Sequence, residues 1–171
     1  SKDIYSHLWI PYDQKQEVTE LWNSYSNRVY PYDHIELGIR THYFLKFLRS
    51  HLKKNKDLIF VNIGSGFTSY QYLVNYNVTT IEVDYRDVIS VKKRRAKKLL
   101  NSGVIPKRET HYVSCNLSNK RSRVNAFNKI ERLVDGKKTL VLCEGLFYYL
   151  GMKTKIIQLV LFWPIMIWLK M

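Results

Sequence analysis

Four short apolar runs, separated by segments with helical spacing, constrain the fold of this chain more than any other feature. The runs are Leu58–Ile63, Val78–Val83, His111–Cys115 and Lys138–Cys143. Runs that are short and continuously apolar are typical of strands covered on both faces of a parallel sheet. Short connections between strands and helices favour right-handed crossovers within an open sheet. We therefore predict an α/β fold, a Rossmann-like open parallel sheet with helices on both faces.

Helices are predicted between these strands, at about Phe67–Tyr76, Arg86–Asn101 and Arg121–Val134. Gly103 and Gly136 follow the second and third of them, as glycine often does at a helix C-terminus. In sheets of this kind, ligands bind outside the carboxyl ends of the strands, near the point where the strand order reverses. The residues just after each strand are therefore the candidates for function.

Two further helices are predicted before the first strand. One covers residues 16–28, where apolar side chains recur at helical spacing: Val18, Leu21, Trp22 and Tyr25. The other runs from about Ile35 to Leu52, and its inward face is expected to carry Ile39, Tyr43, Phe44, Phe47, Leu48 and Leu52. The length of 171 residues suits one domain. We expect it to comprise an N-terminal helical segment (1–57), a core (58–150) and an apolar tail (151–171).

The charge of the chain is strongly positive. There are 28 Lys and Arg against 14 Asp and Glu, a formal net charge of +14. Such a field attracts nucleic acids, acidic proteins and anionic membranes, and it does not choose among them. The densest run of cations, Lys92–Lys98, lies between apolar residues of a predicted helix. We interpret it as the solvated face of an amphipathic helix, and a phosphate-binding patch is the alternative.

The cysteines and the N-terminal residues favour a reducing, cytoplasmic location. Cys115 and Cys143 each end an apolar run, and they form neither a disulfide framework nor a zinc-binding spacing, so no metal is expected. The first residues contain no apolar run of signal-peptide length.

The C-terminal stretch Ile156–Met171 is nearly all apolar. It has sixteen residues and contains Pro164, which is short of the roughly 20 residues that span a bilayer as a helix. We expect no transmembrane span and interpret the stretch as a buried helix and strand. Membrane association and an exposed, sticky tail are the alternatives. We predict that the tail packs against the sheet, breaks near Pro164, and causes the isolated chain to self-associate.

The first predicted strand ends in Gly64-Ser65-Gly66. Two glycines without Cβ atoms would let a ligand approach backbone N–H groups at the N-terminus of the next helix. The dinucleotide fingerprint requires a third glycine where this chain has Ser69, so a dinucleotide is disfavoured. The alternative is a tight turn that binds nothing.

The second predicted strand leads into Asp84, 18 residues after Gly66. A carboxylate at this place can accept hydrogen bonds from both hydroxyls of a ribose. Glu82 shares that side of the strand and is the weaker candidate. The alternative for Asp84 is a cap on the following helix.

Polar residues also follow the third and fourth strands. Asn116 could pair with the edge of an adenine ring, or it could bond its own backbone in the loop. Glu144 could contact a cationic group, or it could have a buried structural role. Together with Gly64-Ser65-Gly66 and Asp84, these residues describe a pocket for an adenosine ligand, with a negative group, Glu144, near its far end. A sulfonium with an amino-acid tail suits Glu144 better than a pyrophosphate does.

Four stretches, in order, give the chain a resemblance to the leucine carboxyl methyltransferase family: VNIGSGFTS, IEVDYRDVISVKKRRAKKL, SCNL and LVLCEGLFYYL. The resemblance covers roughly residues 35–150 and implies transfer of a methyl group from S-adenosylmethionine. The acceptor would be a carboxylate or hydroxyl oxygen on a small molecule or protein. It also implies that Gly64, Gly66, Asp84 and Glu144 contact the cofactor and that Arg40 pairs with its carboxylate. The full set of candidate cofactor-binding residues is Arg40, Gly64, Ser65, Gly66, Asp84, Asn116, Leu117 and Glu144.

The chain departs from the family pattern in three places. Thr68-Ser69-Tyr70 stands where relatives commonly have Asp-Thr-Arg, and Asn116 stands where they have an acidic residue. The family also continues beyond its fourth strand, so we expect an incomplete C-terminal part here. No catalytic residue can be assigned. The alternatives are a nucleic-acid methyltransferase or binder, suggested by the charge, and a non-catalytic remnant.

Overall fold

The computed structural model of the chain describes residues 3–146. Within this range the chain forms four helices, four strands and three short 3₁₀ turns. The helices are α1 (Lys15–Arg28), α2 (Asp33–Lys54), α3 (Arg86–Asn101) and α4 (Lys120–Val134). The strands are β1 (Ile59–Ile63), β2 (Thr79–Asp84), β3 (Thr110–Ser114) and β4 (Thr139–Cys143). The 3₁₀ turns are Ser6–Trp9, Tyr12–Gln14 and Tyr70–Tyr72.

The described strands form one parallel sheet in the order β3-β2-β1-β4. Each strand begins and ends within one residue of its predicted bounds, and the predicted α/β, Rossmann-like parallel sheet is confirmed. The chain builds outward from β1 to β3 and then crosses to the other side of β1 to form β4. The strand order therefore reverses between β1 and β4, which is where such folds bind ligands.

Helices cover both faces of the sheet. On one face, Ala126 and Ile130 of α4 pack against alternate residues of the inner strands, such as Val61. On the other face, α2 packs Leu45, Leu48 and Leu52 against a second set of strand residues that includes Phe60 and Leu140. All five residues of β1 are buried, as expected for a central strand with a helix on each side.

The helix predicted at about Phe67–Tyr76 is wrong, because the segment contains only the 3₁₀ turn Tyr70–Tyr72. Four consecutive residues, 69–72, are buried, whereas a surface helix buries a single stripe. Side chains also compete for the local backbone, since the Thr68 hydroxyl donates to the Ser65 carbonyl oxygen at 2.9 Å. Individual side-chain contacts, instead of a regular helix, therefore fix the chain after β1.

The inward face predicted for α2 is wrong in part. Leu48 and Leu52 are buried and Phe44 is half-buried, but Ile39, Tyr43 and Phe47 are exposed. The buried stripe instead includes Leu45. The helix predicted at 16–28 exists as α1, yet none of its residues is buried. These two helices have more aromatic and aliphatic side chains than inward positions, so helical spacing alone predicts too many buried residues.

Two expectations fall wholly or partly on residues beyond 146. The tail 151–171, with its predicted break at Pro164 and its role in self-association, lies outside the described residues. So does the boundary at residue 150, and the three-part division of the chain stays a prediction. In the described part of the chain, no helix combines the length and apolar character needed to cross a membrane.

Candidate functional site

The glycine turn after β1 requires its two glycines. Gly64 has φ +68° and Gly66 has φ +43°, values that side chains with a Cβ rarely adopt. The N–H groups of Gly64 and Ser65 both donate to the carbonyl oxygen of Val83, at 2.8 and 3.1 Å. A Cβ on Gly64 would lie 3.0 Å from Cδ1 of Leu146, whereas one on Gly66 would have no described atom within 4 Å.

The expected position of this turn at a helix N-terminus is wrong, because no α-helix begins there. The Ser65 side chain is fully buried. Its hydroxyl has no hydrogen-bond partner among the described residues. The Gly66 N–H, at the mouth of the sheet, donates to a carboxylate.

That carboxylate belongs to Asp84, the last residue of β2. Its Oδ2 accepts a hydrogen bond from the Gly66 N–H and its Oδ1 accepts one from the Tyr85 N–H, each at 2.7 Å. Asp84 does not cap α3, whose N-cap residue is Tyr85. Each carboxylate oxygen has two lone pairs, so both can accept a further donor from a ligand. The structure thus joins the glycine turn and Asp84, as the sequence predicted.

Arg40 and Glu144 meet at the reversal of strand order. Nε of Arg40, on α2, donates to Oε1 of Glu144 at 2.6 Å, and the Arg40 guanidinium also lies 4.0 Å from Glu36. The Glu144 side chain is 11% exposed and that of Arg40 is 35% exposed. These two residues are 104 positions apart in the chain. Their charges are opposite, adjacent and accessible from solvent on the arginine side.

Tyr70 completes this group. Its hydroxyl donates to Oε2 of Glu144 at 2.5 Å, and its ring packs edge-on against Phe44, one turn after Arg40 on α2. Burial, followed by the hydrogen bond to the Glu144 carboxylate, raises the pKa of the Tyr70 phenol well above its usual value. The phenol therefore remains a donor at neutral pH.

Asn116 and Leu117 follow β3, farther from the reversal point. Oδ1 of Asn116 accepts from the Ser118 N–H at 3.0 Å, which is the local loop hydrogen bond considered as the alternative. The Leu117 side chain is buried in the core, and its carbonyl oxygen accepts from Arg123 at 2.5 Å. The loop is tied to the rest of the site because the Cys115 N–H donates to the Asp84 carbonyl oxygen at 2.7 Å.

Behind the glycine turn lies a buried ion pair that sequence reasoning missed. Nζ of Lys92 is 2.6 Å from Oε1 of Glu82, and both side chains are 0% exposed. Lys92 also approaches the Ser65 carbonyl oxygen at 3.4 Å. The expectation that the whole basic run is solvated is therefore wrong at Lys92. A signal was present, because Ile89, Lys92 and Ala96 are spaced as one inward face of α3.

The N-terminal residues also support the turn. Trp9 is 2% exposed and donates from Nε1 to the Ser69 hydroxyl at 2.8 Å. Its ring lies under the Lys92 ammonium, 5.7 Å from Nζ to the ring centroid. Nothing in the local sequence around Trp9 indicates this contact, because its partners are distant in the chain.

The two cysteines are free thiols, Cys115 buried and Cys143 half-buried. Burial raises the pKa of Cys143 to about 12 and also raises that of Cys115. Both therefore stay protonated at neutral pH. In the described range, no cluster of His, Cys, Asp and Glu has the arrangement of a metal site.

The model of the leucine carboxyl methyltransferase family matches residues 10–159. The chain belongs to this family. The matched residues include the glycine turn, Asp84, Glu144 and Arg40, so the resemblance seen in the sequence is confirmed at the level of the family. Leucine carboxyl methyltransferases use S-adenosylmethionine as methyl donor. No curated protein shows a significant match to this leucine carboxyl methyltransferase family member.

Proposed function

We propose that this family member binds S-adenosylmethionine at the carboxyl ends of its strands and transfers a methyl group to oxygen. The acceptor would be a carboxylate or hydroxyl on a small molecule or a protein. The observation that supports this most is the pair of opposite charges, Arg40 and Glu144, at the reversal of strand order. An amino acid also carries two opposite charges close together. Arg40 can take its carboxylate and Glu144 its ammonium, each through charge-assisted hydrogen bonds.

The other candidate residues fit the remaining parts of the cofactor. Asp84 has lone pairs for the ribose hydroxyls, and Gly66 presents an open surface beside it. Gly64 and Ser65 would contribute through their backbone, because the Ser65 side chain is buried. We place the adenine near Asn116 and Leu117, which follow the neighbouring strand. Within residues 3–146, the Asn116 side chain has a free NH₂ donor for this pairing, and its Oδ1 keeps a second lone pair beside the bond from the Ser118 N–H.

The bound cofactor supplies a methyl group on a positively charged sulfur. The residues of this chain bind and align it: Arg40 and Glu144 fix the amino-acid end, and Asp84 fixes the ribose. A carboxylate acceptor is ionised at neutral pH, so the reaction depends on alignment and exclusion of water more than on a general base. No catalytic base is assigned.

Calorimetric titration with S-adenosylhomocysteine tests the cofactor without knowledge of the acceptor. We expect the wild-type chain to bind it, and Asp84→Asn to weaken binding by about ten- to a hundredfold, since charge-assisted hydrogen bonds contribute roughly 1.5–3 kcal/mol. The matched control is Asp87→Asn, the same substitution at an exposed residue in the first turn of α3, which should leave binding unchanged. A wild-type chain that does not bind would contradict the proposal.

The oxygen acceptor has a test of its own. After incubation of a cell extract with the chain and methyl-labelled cofactor, a carboxyl methyl ester releases labelled methanol in mild base, whereas a methylated amine does not. Label that survives base would argue against carboxylate methylation. It would leave the titration result standing.

The structure gives no specific support to a nucleic-acid function. Arg95 lies beside the glycine turn, 5.7 Å from the Phe67 ring centroid, but the exposed cations of the described residues are spread over three helices. Examples are Lys46, Arg49, Lys53, Lys93, Arg94, Lys97, Arg121, Lys129 and Arg132. A spread of this kind is not the footprint of a nucleic-acid interface.

A further inference from the structure

Tyr70 was not among the predicted site residues, but its hydrogen bond to Glu144 suggests a role for it in the site. Tyr70 is 2% exposed and lies in the core cluster formed with α2, so its ring is fixed by packing. Its hydroxyl reaches Oε2 of Glu144 at 2.5 Å. A buried phenol that donates to a carboxylate holds that carboxylate in one orientation.

The two oxygens of Glu144 have different partners. Arg40 donates to Oε1 at 2.6 Å and Tyr70 donates to Oε2 at 2.5 Å. The Arg40 side chain is 35% exposed, so its guanidinium can turn toward a ligand, whereas Tyr70 is fixed by the residues packed around it. Oε1 is therefore the oxygen that can exchange its partner, and Oε2 is the one that stays held.

We propose that Tyr70 is a positioning residue for the amino-acid end of the cofactor and acts through Glu144; this rests on the function proposed above. When the carboxylate of the ligand takes the Arg40 guanidinium, the ligand ammonium replaces Arg40 at Oε1. Tyr70 then remains as the fixed donor that orients Glu144. The hydrogen bond thus favours ligands that carry an ammonium group over nucleosides that lack one.

Two ligands separate this role from a general effect on the pocket. S-adenosylhomocysteine has the amino-acid end, and 5′-methylthioadenosine has the same nucleoside and sulfur without it. We expect Tyr70→Phe to weaken S-adenosylhomocysteine binding about tenfold in calorimetry and to leave 5′-methylthioadenosine binding unchanged. The control is Tyr72→Phe, the same substitution at a buried tyrosine whose hydroxyl interacts with Tyr112 instead. It should change neither affinity.

A double variant tests the route through Glu144. In a Glu144→Gln background, Tyr70→Phe should cause no further loss of S-adenosylhomocysteine affinity, because the oriented carboxylate is already gone. Thermal melting of each variant shows whether the fold is kept, and the ratio of the two ligand affinities is independent of partial unfolding.

The outcomes distinguish this inference from the proposed function. A wild-type chain that does not bind S-adenosylhomocysteine would remove both. Normal wild-type binding, with Tyr70→Phe affecting both ligands equally or neither, would overturn the role of Tyr70 alone. A further loss in the Glu144→Gln background would show that Tyr70 does not act through Glu144.

Discussion

Among single residues of the described range, Lys92 and Glu82 stand out because both are charged and both are fully buried. Both side chains are fully buried, and their charged atoms are 2.6 Å apart. Gln71 donates to the same carboxylate oxygen at 2.9 Å, while Oε2 of Glu82 is buried without a hydrogen-bond partner in residues 3–146. Burial raises the pKa of Glu82 above its ordinary value of 4.5, and the nearby Lys92 ammonium opposes that rise. Each charge is tolerable in the core because the other is there.

We predict that Lys92→Met destabilises the chain by about 3–5 kcal/mol, the usual cost of breaking a buried ion pair from one side. Without the ammonium, the pKa of Glu82 in the folded state rises further above its unfolded value. Such an acid favours folding at low pH, and this contribution is lost as the pH rises through the folded pKa. The variant should therefore melt at progressively lower temperature, relative to wild type, as the pH rises above 4.5, the ordinary pKa of a glutamate.

The control is the double variant Lys92→Met with Glu82→Gln, which removes both charges. It should recover most of the lost stability and should lose the additional dependence on pH. If the single and double variants melt alike at every pH, Glu82 is not the group that Lys92 neutralises.

At the level of elements, alanine substitutions in two turns can distinguish backbone strain from loss of contact with a ligand. Gly66 and Gly103 both have positive φ and both have open space where a Cβ would stand. Alanine at either position should therefore cost a similar amount of stability, about 1–2 kcal/mol. We predict that only Gly66→Ala also weakens S-adenosylhomocysteine binding beyond the change in folding, because its Cβ would enter the space beside Asp84.

Gly103 lies after α3, away from the site, so Gly103→Ala is the measure of strain alone. Thermal melting and calorimetry on the two variants give both quantities. Equal binding by the two variants would show that the ligand does not approach Gly66.

The strands were located to within one residue from their apolar runs. The strand β1 has all five residues buried, so an apolar run was enough to locate it. The segment after Gly66 was predicted as a helix because its aromatic residues have helical spacing, but three of its residues are held by partners from other parts of the chain. Trp9 binds Ser69, Glu144 binds Tyr70 and Glu82 binds Gln71.

The sequence predicted those candidate site residues whose position at the end of a strand is enough to suggest a role. Gly64 and Gly66 follow β1, Asp84 ends β2, and the sheet brings these residues together. Lys92 and Tyr70 could not be found in this way, since their roles come from burial against Glu82 and Glu144. A lysine within a run of cations and a tyrosine after a turn both suggest solvent exposure. The family resemblance supplied Arg40, which lies 104 residues from its partner.

Across residues 3–146 as a whole, burial is uneven. The sheet, α3 and α4 share well-packed cores, but α1 has no buried residue and exposes large apolar side chains, including Leu21 at 63%. Regions with few buried contacts open at low free-energy cost. We predict that the amides of α1 exchange with deuterium much faster than those of α4, a helix of similar length with three buried residues.

Hydrogen exchange followed by mass spectrometry at two protein concentrations measures this. Equal protection of α1 and α4 would mean that something else covers the exposed apolar side chains of α1. If that protection grows with concentration, the cover is a second copy of the chain.

The buried pair of Lys92 and Glu82 also limits how the sequence can diverge. A change at either position alone leaves one charge stranded in the core, so a lineage that leaves this arrangement must pass through a poorly folded intermediate or alter both codons together. The two positions lie on different elements, a strand and a helix, and are separated by 10 residues. Each position nevertheless constrains the other, and Lys92 also reaches the Ser65 carbonyl oxygen of the glycine turn at 3.4 Å.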